Sequence, residues 1–151
     1  MALTRHHRTM IFRRNGTEII GIHQRMMQLL GGREGFNGQV DAWTLEVGGQ
    51  PRLIEYGSTP NAGDETKYQG RPHDLLVFDE AVQFPRHVPM FLRTWNRHED
   101  ERQKCQMLFT FNPPTSAEGQ WVKEFFGPWL DDKHPRPAAP GELRWYLMLA
   151  G

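Results

Sequence analysis

The chain has 151 residues, which is the usual size of one domain, and its 18 Lys and Arg residues balance 18 Asp and Glu residues. A net charge of zero excludes a uniformly basic nucleic-acid-binding protein and a long acidic tail, although a local basic patch remains compatible with it. The single cysteine, Cys105, excludes an internal disulfide and a cysteine-rich zinc site, and no apolar run approaches the ~20 residues that span a bilayer.

The first predicted elements are a strand and a helix. Thr9-Met10-Ile11-Phe12 is a short apolar run that predicts a buried strand, and Asn15-Gly16 ends it. We expect Thr17 to cap a following helix, with Glu18 in its first turn. Apolar residues then recur at helical spacing until a glycine pair stops the helix: Ile19, Ile22, Met26 and Leu29, followed by Gly31-Gly32. A strand followed by a helix begins an α/β pattern.

The next stretch has the period of a strand. Alternating residues flank a tight glycine turn: Trp43, Leu45 and Val47 before Gly48-Gly49, and Leu53, Glu55 and Tyr56 after it. This pattern predicts a β-hairpin. Residues 57–70 are rich in turn-forming and charged residues, and they predict an exposed loop.

Two buried strands with a helix between them follow. Leu75-Leu76-Val77-Phe78 is a continuous apolar run, which suits a central parallel strand covered on both faces, and residues 106–111 form the second strand. Pro85 opens the intervening helix, whose apolar face holds Val88, Phe91, Leu92 and Trp95. The spacing is that of a βαβ unit. We therefore predict adjacent parallel strands, with Asp79 and Asn112 at the same edge of the sheet.

The last third of the chain predicts three segments. A helix carries Trp121, Val122, Phe125 and Phe126 and ends at Gly127-Pro128. Residues 131–141 are proline-rich and resemble a linker, and residues 144–149 predict a final strand.

Two adjacent carboxylates, Asp79 and Glu80, end the strand at Phe78, which is the Walker B pattern of ATPases. Ligands of open α/β sheets bind beyond the carboxyl ends of the strands. There Asp79 could hold Mg²⁺, directly or through water, and Glu80 could polarise the attacking water. Many buried strands also end in Asp or Glu, so this pattern alone leaves a purely structural interpretation open.

The second strand of the pair ends in a polar amide, Asn112. In ATPases with a catalytic Glu beside the Walker B Asp, the neighbouring strand ends in a polar residue that senses the γ-phosphate or orients the water. Asn112 precedes Pro113-Pro114, a sequence that also favours a turn. Both interpretations can hold together, because such a sensor must lie at a strand end.

In their order and spacing, these segments resemble the N-terminal ATPase domain of the large terminase subunit of tailed bacteriophages, over roughly residues 8–147. The matching segments are Phe12-Arg13-Arg14, Trp43-Thr44-Leu45, Tyr68-Gln69-Gly70, Leu75 to Ala81, Phe84-Pro85, Thr110 to Pro114 and Trp121-Val122-Lys123. The resemblance implies a P-loop NTPase fold of the RecA-like (ASCE) type, with a mainly parallel central sheet and an inserted β-hairpin. It also implies an ATP-driven motor that packages viral DNA into procapsids.

The resemblance implies a role for each candidate residue. Asp79 would be the Mg²⁺-binding Walker B residue and Glu80 the catalytic base. Thr110 would border the nucleotide and Asn112 would act in the coupling motif, residues 110–113. Arg71, on the loop before the Walker B strand, would be a trans-acting arginine finger, with a solvated loop arginine as the alternative.

The cofactors and partners follow from the same resemblance. ATP and Mg²⁺ are the implied cofactors. The implied partners are double-stranded DNA, the portal protein, the small terminase subunit and further copies of the same chain in a ring. No membrane partner is implied. The implied location is the cytoplasm of the infected bacterial host.

Two family features are not found in this sequence. No G-x-x-x-x-G-K-[ST] phosphate loop occurs, because none of the four lysines follows a glycine, and the acids of the family's nuclease domain are also absent. Gly31 to Gly35 is glycine-rich but lacks a lysine, and we interpret its start as a helix stop. We therefore expect residues 1–151 to be a partial ATPase domain that alone binds ATP weakly or not at all.

Two other functions remain open at this point. Asp79-Glu80-Ala81-Val82 has the DEAx form of a superfamily 2 helicase-like ATPase half, although the segment that begins at Thr110 differs from the Ser-Ala-Thr motif of those enzymes. The other alternative is a non-catalytic α/β interaction module that has lost nucleotide binding, which the missing phosphate loop favours.

Overall fold

The computed structural model describes residues 5–142, which form a mixed six-stranded sheet with helices on both faces. The strands are β1 (Arg8–Arg13), β2 (Phe36–Asn37), β3 (Ala42–Val47), β4 (Gln50–Ser58), β5 (Leu75–Phe78) and β6 (Gln106–Phe109). The helices are α1 (Ile19–Leu30), α2 (His87–Leu92), α3 (Gln120–Phe125) and α4 (Gly127–Leu130). No helix within residues 5–142 is long and apolar enough to cross a membrane.

The strand order is β2-β3-β4-β1-β5-β6, and the four strands from β4 to β6 run parallel. β5 pairs with β6 from Leu75–Gln106 to Phe78–Phe109, which confirms the predicted adjacent parallel strands. On its other side β5 pairs with β1. The predicted α/β class, with a mainly parallel sheet and a β-hairpin, is confirmed.

The hairpin of β3 and β4 is joined directly to the parallel sheet. β4 pairs antiparallel with β3 and, from Leu53 to Ser58, parallel with β1. The predicted loop therefore begins later than expected, because Gly57 and Ser58 belong to β4. A Cβ atom at Gly57 would lie 2.8–2.9 Å from the side chains of Met10, Phe12 and Tyr68, so only glycine fits there.

The prediction of an exposed loop over residues 57–70 is wrong for a buried turn within it. Asp64–Tyr68 forms a 3₁₀ turn in which Asp64 and Glu65 are buried. The Asp64 carboxylate accepts the Asn61 N–H and pairs with Lys67 at 2.6 Å. The Tyr68 hydroxyl donates to the Ser58 carbonyl and accepts the Ser58 N–H. These local bonds fold the polar segment back onto the sheet.

Helix α1 is confirmed with two corrections. Thr17 does not cap it; Gly16–Glu18 forms a 3₁₀ turn, and no side chain caps either the turn or the helix. Leu29 is 67% exposed, because Leu30, one residue and about 100° further around the helix, takes the packing position instead. Gly31 ends the helix in the left-handed conformation, with φ 76°.

The two faces of the sheet carry separate cores. Met10, Phe12, Leu76 and Phe78 alternate onto one face, where Val88, Leu92, Trp121 and Val122 from α2 and α3 cover them. On the other face Ile19 of α1 packs with Trp43, Ile54 and Tyr56. Gly127-Pro128 ends α3 as predicted but then opens α4, and the predicted strand over residues 144–149 lies outside the described residues.

In the part of the chain that the structure describes, the β6 side of the sheet is open. Within residues 5–142, β6 pairs only with β5. Leu108 of β6 is 44% exposed, and by strand alternation it lies on the α1 face beside the partly exposed Val77 of β5. Parallel strands are usually covered on both faces, whereas the described residues leave Val77 and Leu108 partly exposed.

Candidate functional site

The carboxyl ends of β1, β5 and β6 meet at one edge of the sheet. The Asp79 N–H donates to the Phe12 carbonyl at 3.0 Å, and the Thr110 N–H donates to the Phe78 carbonyl at 3.0 Å. The Ala81 N–H then donates to the Thr110 carbonyl at 2.8 Å. These bonds continue the ladder beyond the strands and fix the backbone that carries the candidate residues.

Both carboxylate oxygens of Asp79 have a partner. The Thr110 hydroxyl donates to Oδ1 at 2.5 Å, and Nε of Arg13 lies 2.8 Å from Oδ2. The Arg13 guanidinium also donates from Nη1 to the Glu18 carboxylate at 3.1 Å. Asp79 is therefore held between the last residue of β1 and the first residue after β6.

Glu80 has an unusual backbone conformation. Its φ and ψ are 55° and 54°, in the left-handed region that side chains with a Cβ avoid. Its N–H lies 3.4 Å from the Thr110 hydroxyl oxygen, which accepts from it. Strain of this kind is retained where the surrounding structure imposes it, often at functional sites.

Replacing Glu80 by glycine is expected to raise the free energy of unfolding by about 1 kcal/mol, because glycine adopts positive φ without the steric cost. Urea denaturation of the purified chain measures this change. The control is Glu80→Ala, which removes the carboxylate and keeps the strained backbone. If the glycine and alanine variants are equally stable, backbone strain at Glu80 does not limit stability.

Glu80 and Asn112 line the same open cleft, at the edge of the sheet predicted for Asp79 and Asn112. The cleft has a volume of about 520 Å³, and Arg14, Asn15, Glu18 and Glu118 are among its other lining residues. The structure thus brings two of the predicted site residues together around a space that could admit a ligand. Asp79, between Arg13 and Thr110, lies beside this cleft at the end of β5.

The loop that carries Asn112 is packed tightly on the turn after Glu80. A Cβ atom at Gly119 would lie 2.7 Å from the Val82 carbonyl oxygen, so the two backbones touch. The Trp121 indole N–H donates to the Phe84 carbonyl at 2.8 Å. The segments after β5 and β6 are therefore in direct contact.

The chemistry of Asp79 and Thr110 suits Mg²⁺, which prefers carboxylate, hydroxyl and water oxygens. Within residues 5–142, no cluster of three His, Cys, Asp or Glu side chains could hold a metal ion. Mg²⁺ sites in proteins usually keep several waters, so one carboxylate such as Asp79 could be the main protein ligand of such an ion.

Arg71 lies away from this edge. Arg71 precedes β5, and its guanidinium pairs with the Glu55 carboxylate. Cζ of Arg71 lies 5.9 Å from the centre of the Tyr68 ring. The structure brings Asp79, Glu80 and Asn112 to one edge but does not bring Arg71 to them. An arginine finger acts on a neighbouring subunit, so this role of Arg71 stays a prediction.

Residues at the end of β1 extend the site beyond the sequence prediction. Arg13 contacts Asp79, and Arg14 lines the cleft and donates to the Thr59 carbonyl at 2.5 Å. In the sequence, Arg13 and Arg14 predict either a phosphate or DNA contact or a strand-end pair facing water or an internal carboxylate. The contact of Arg13 with Asp79 is a contact with an internal carboxylate. Knowledge that β1 pairs with β5 would have been needed to predict this contact.

One solved structure gives a comparison for the fold. The large terminase of a thermophilic bacteriophage superposes with a TM-score of 0.57 and 14% sequence identity, over 72% of this chain and 27% of that chain. No family model matches the sequence, and no curated protein matches it. The chain thus has the fold of part of a bacteriophage large terminase, and it spans about a quarter of that protein's length.

Proposed function

We propose that this chain is part of the ATPase domain of a DNA-packaging motor of the large-terminase type. The observation that carries the proposal is the convergence of Asp79, Glu80 and Asn112 at the carboxyl edge of adjacent parallel strands. In such sheets this edge is where ligands bind. The strained backbone of Glu80 and the similar fold of a phage large terminase support the proposal.

Each residue has a proposed role. The Glu80 carboxylate accepts a proton from the water that attacks the γ-phosphate, and the Asn112 amide orients that water. The Thr110 hydroxyl fixes one oxygen of Asp79, which would hold Mg²⁺ through the other. When bound, Mg²⁺ would neutralise phosphate charge.

The phosphate-binding loop that this sequence lacks would be carried on an added strand and helix. Among the described residues, the outer edge of β6 is unpaired and Leu108 is exposed beside it, which would provide both a strand to pair with and an apolar surface to cover. We therefore propose that residues 1–151, with the proline-rich segment 131–141 inside them, form a partial ATPase domain. ATP would bind only when the domain is completed.

The proposed partners follow from a terminase-type motor. They are double-stranded DNA, a portal protein, a small terminase subunit and further copies in a ring, in the cytoplasm of an infected bacterium. Arg71 is the proposed arginine finger of that ring, although its guanidinium is paired with Glu55 within this chain.

The isolated chain is expected to show no Mg²⁺-dependent ATP turnover, because backbone N–H groups and a lysine of the phosphate loop provide most phosphate binding. A longer protein that joins this chain to such a loop is expected to hydrolyse ATP. Phosphate release by both proteins, under identical conditions, tests the proposal. Failure of the longer protein to hydrolyse ATP would contradict the proposal. If the isolated chain hydrolysed ATP and Glu80→Ala abolished this activity, the phosphate loop would not be needed for turnover.

A further inference from the structure

We propose that Arg13 occupies the cation position at Asp79 and must be displaced before a divalent cation binds there. The proposal rests on the proposed role of Asp79 but not on ATP turnover. It makes Arg13 a built-in counter-ion, which keeps the carboxylate neutralised and in place until a metal ion replaces the guanidinium.

The geometry carries this inference. Nε of Arg13 is 2.8 Å from Oδ2 of Asp79, and the other carboxylate oxygen is taken by Thr110. The two side chains are 20% and 30% exposed, so the pair is partly shielded from water. A divalent cation that bound Oδ2 directly would lie about 2.1 Å from it, in space that the guanidinium fills.

Electrostatics disfavours simultaneous contact of both cations with Oδ2 of Asp79. A guanidinium and a metal ion at contact distance from one oxygen would repel each other strongly in a partly shielded site. The guanidinium of an arginine carries its charge permanently, so Arg13 can yield the site only by moving. Glu18, which already accepts from Nη1 at 3.1 Å, is the carboxylate that would retain it.

The same contact links the cation site to the start of α1. Glu18 immediately precedes α1, and its other carboxylate oxygen accepts from the Asn15 amide at 3.0 Å. Displacement of Arg13 from Asp79 therefore leaves it attached to the beginning of α1, beside the cleft that Glu80 lines.

The test is a Mg²⁺ titration of the ¹⁵N-labelled chain, followed by the amide signals of Asp79 and Thr110. Arg13→Gln is expected to lower the dissociation constant at these signals at least tenfold relative to Arg25→Gln. Arg25 is the matched control because it lines the groove beside Arg13 and Asp79, and its guanidinium donates to Gln28. Arg25→Gln thus removes the same charge from the same groove without touching Asp79.

Two results would overturn the proposal. One is an equal Mg²⁺ dissociation constant in the Arg13→Gln and Arg25→Gln variants, or no Mg²⁺ binding in either. The other is saturable binding that persists in Arg13→Gln/Asp79→Asn. If Arg13→Gln does not fold, the Arg13 Nε–H signal of the unmodified chain replaces it. This signal is expected to shift with the Asp79 amide as Mg²⁺ is added, and an unchanged signal while Asp79 responds would refute displacement.

The experiment distinguishes failure of this inference from failure of the proposed ATPase function. A cation that binds Asp79 only after Arg13 is replaced would support the inference even if the longer protein hydrolysed no ATP. A longer protein whose turnover depends on Glu80 would support the ATPase function even if Arg13→Gln and Arg25→Gln bound Mg²⁺ equally.

Discussion

In the longer protein proposed above, which joins this chain to a phosphate loop, replacing Glu80 by glutamine is expected to reduce ATP turnover about 10³-fold and to change ATP affinity by less than about threefold. Glutamine keeps the size and hydrogen bonding of the side chain but cannot accept the proton from water. It also keeps the Cβ, so the backbone strain at position 80 is unchanged and the cleft shared with Asn112 should retain its shape. Steady-state phosphate release and nucleotide-binding titrations measure the two quantities separately.

The matched control for this experiment is Glu118→Gln. Glu118 lines the same cleft as Glu80, and its substitution removes the same charge. Its turnover is expected to stay near that of the unmodified protein, because Glu118 does not follow a strand of the sheet. Unchanged turnover in Glu80→Gln would show that Glu80 is not the base, and the likeness to ATPases would then reduce to a shared strand pattern.

The elements with a strong local signal were predictable from the sequence. Residues 75–78 form a continuous apolar run followed by two carboxylates, which indicates both a buried strand and its end. The βαβ spacing then places residues 106–109 beside it, because such crossovers join neighbouring parallel strands. The common edge of Asp79 and Asn112 follows from these two local patterns alone.

The order of the other strands was not predictable in this way. Local periodicity identifies β1 but does not say which strands flank it, because strand order depends on long-range packing. The ion pair of Arg13 with Asp79 depends on the pairing of β1 with β5, so the sequence could only leave it among several alternatives. The left-handed conformation of Glu80 could not be predicted from the local sequence either. Glycine and asparagine are the residues that usually adopt this conformation, and position 80 has neither.

Buried charges were the other feature that sequence patterns missed. Glu55 lies in the alternating pattern of the predicted hairpin, where a charged residue would be expected to face water, yet it is only 7% exposed. Nε2 of His73 lies 2.6 Å from its carboxylate, Nη2 of Arg8 lies 3.4 Å away, and Arg71 also pairs with it. Burial raises the pKa of Glu55, but the hydrogen bonds and charges of His73 and Arg71 outweigh it and hold the pKa at about 2. The carboxylate therefore ties β4 to the segment that leads into β5.

Replacing Glu55 by glutamine is expected to lower the free energy of unfolding by about 3 kcal/mol near pH 6, because the cations around it lose their buried partner. The folded-state pKa of about 2 lies below the ordinary 4.5. The contribution of Glu55 is therefore fully present above pH 4.5 and is lost as the pH falls toward 2.

Urea denaturation of both proteins from pH 6 to pH 2 measures the difference in the free energy of unfolding, which should shrink over that interval. Glu46→Gln, on the exposed side of β3, is the control and should change stability by less than about 0.5 kcal/mol. A difference between Glu55→Gln and the unmodified chain that stayed constant down to pH 2 would show that packing, rather than the charge of Glu55, stabilises this part of the sheet.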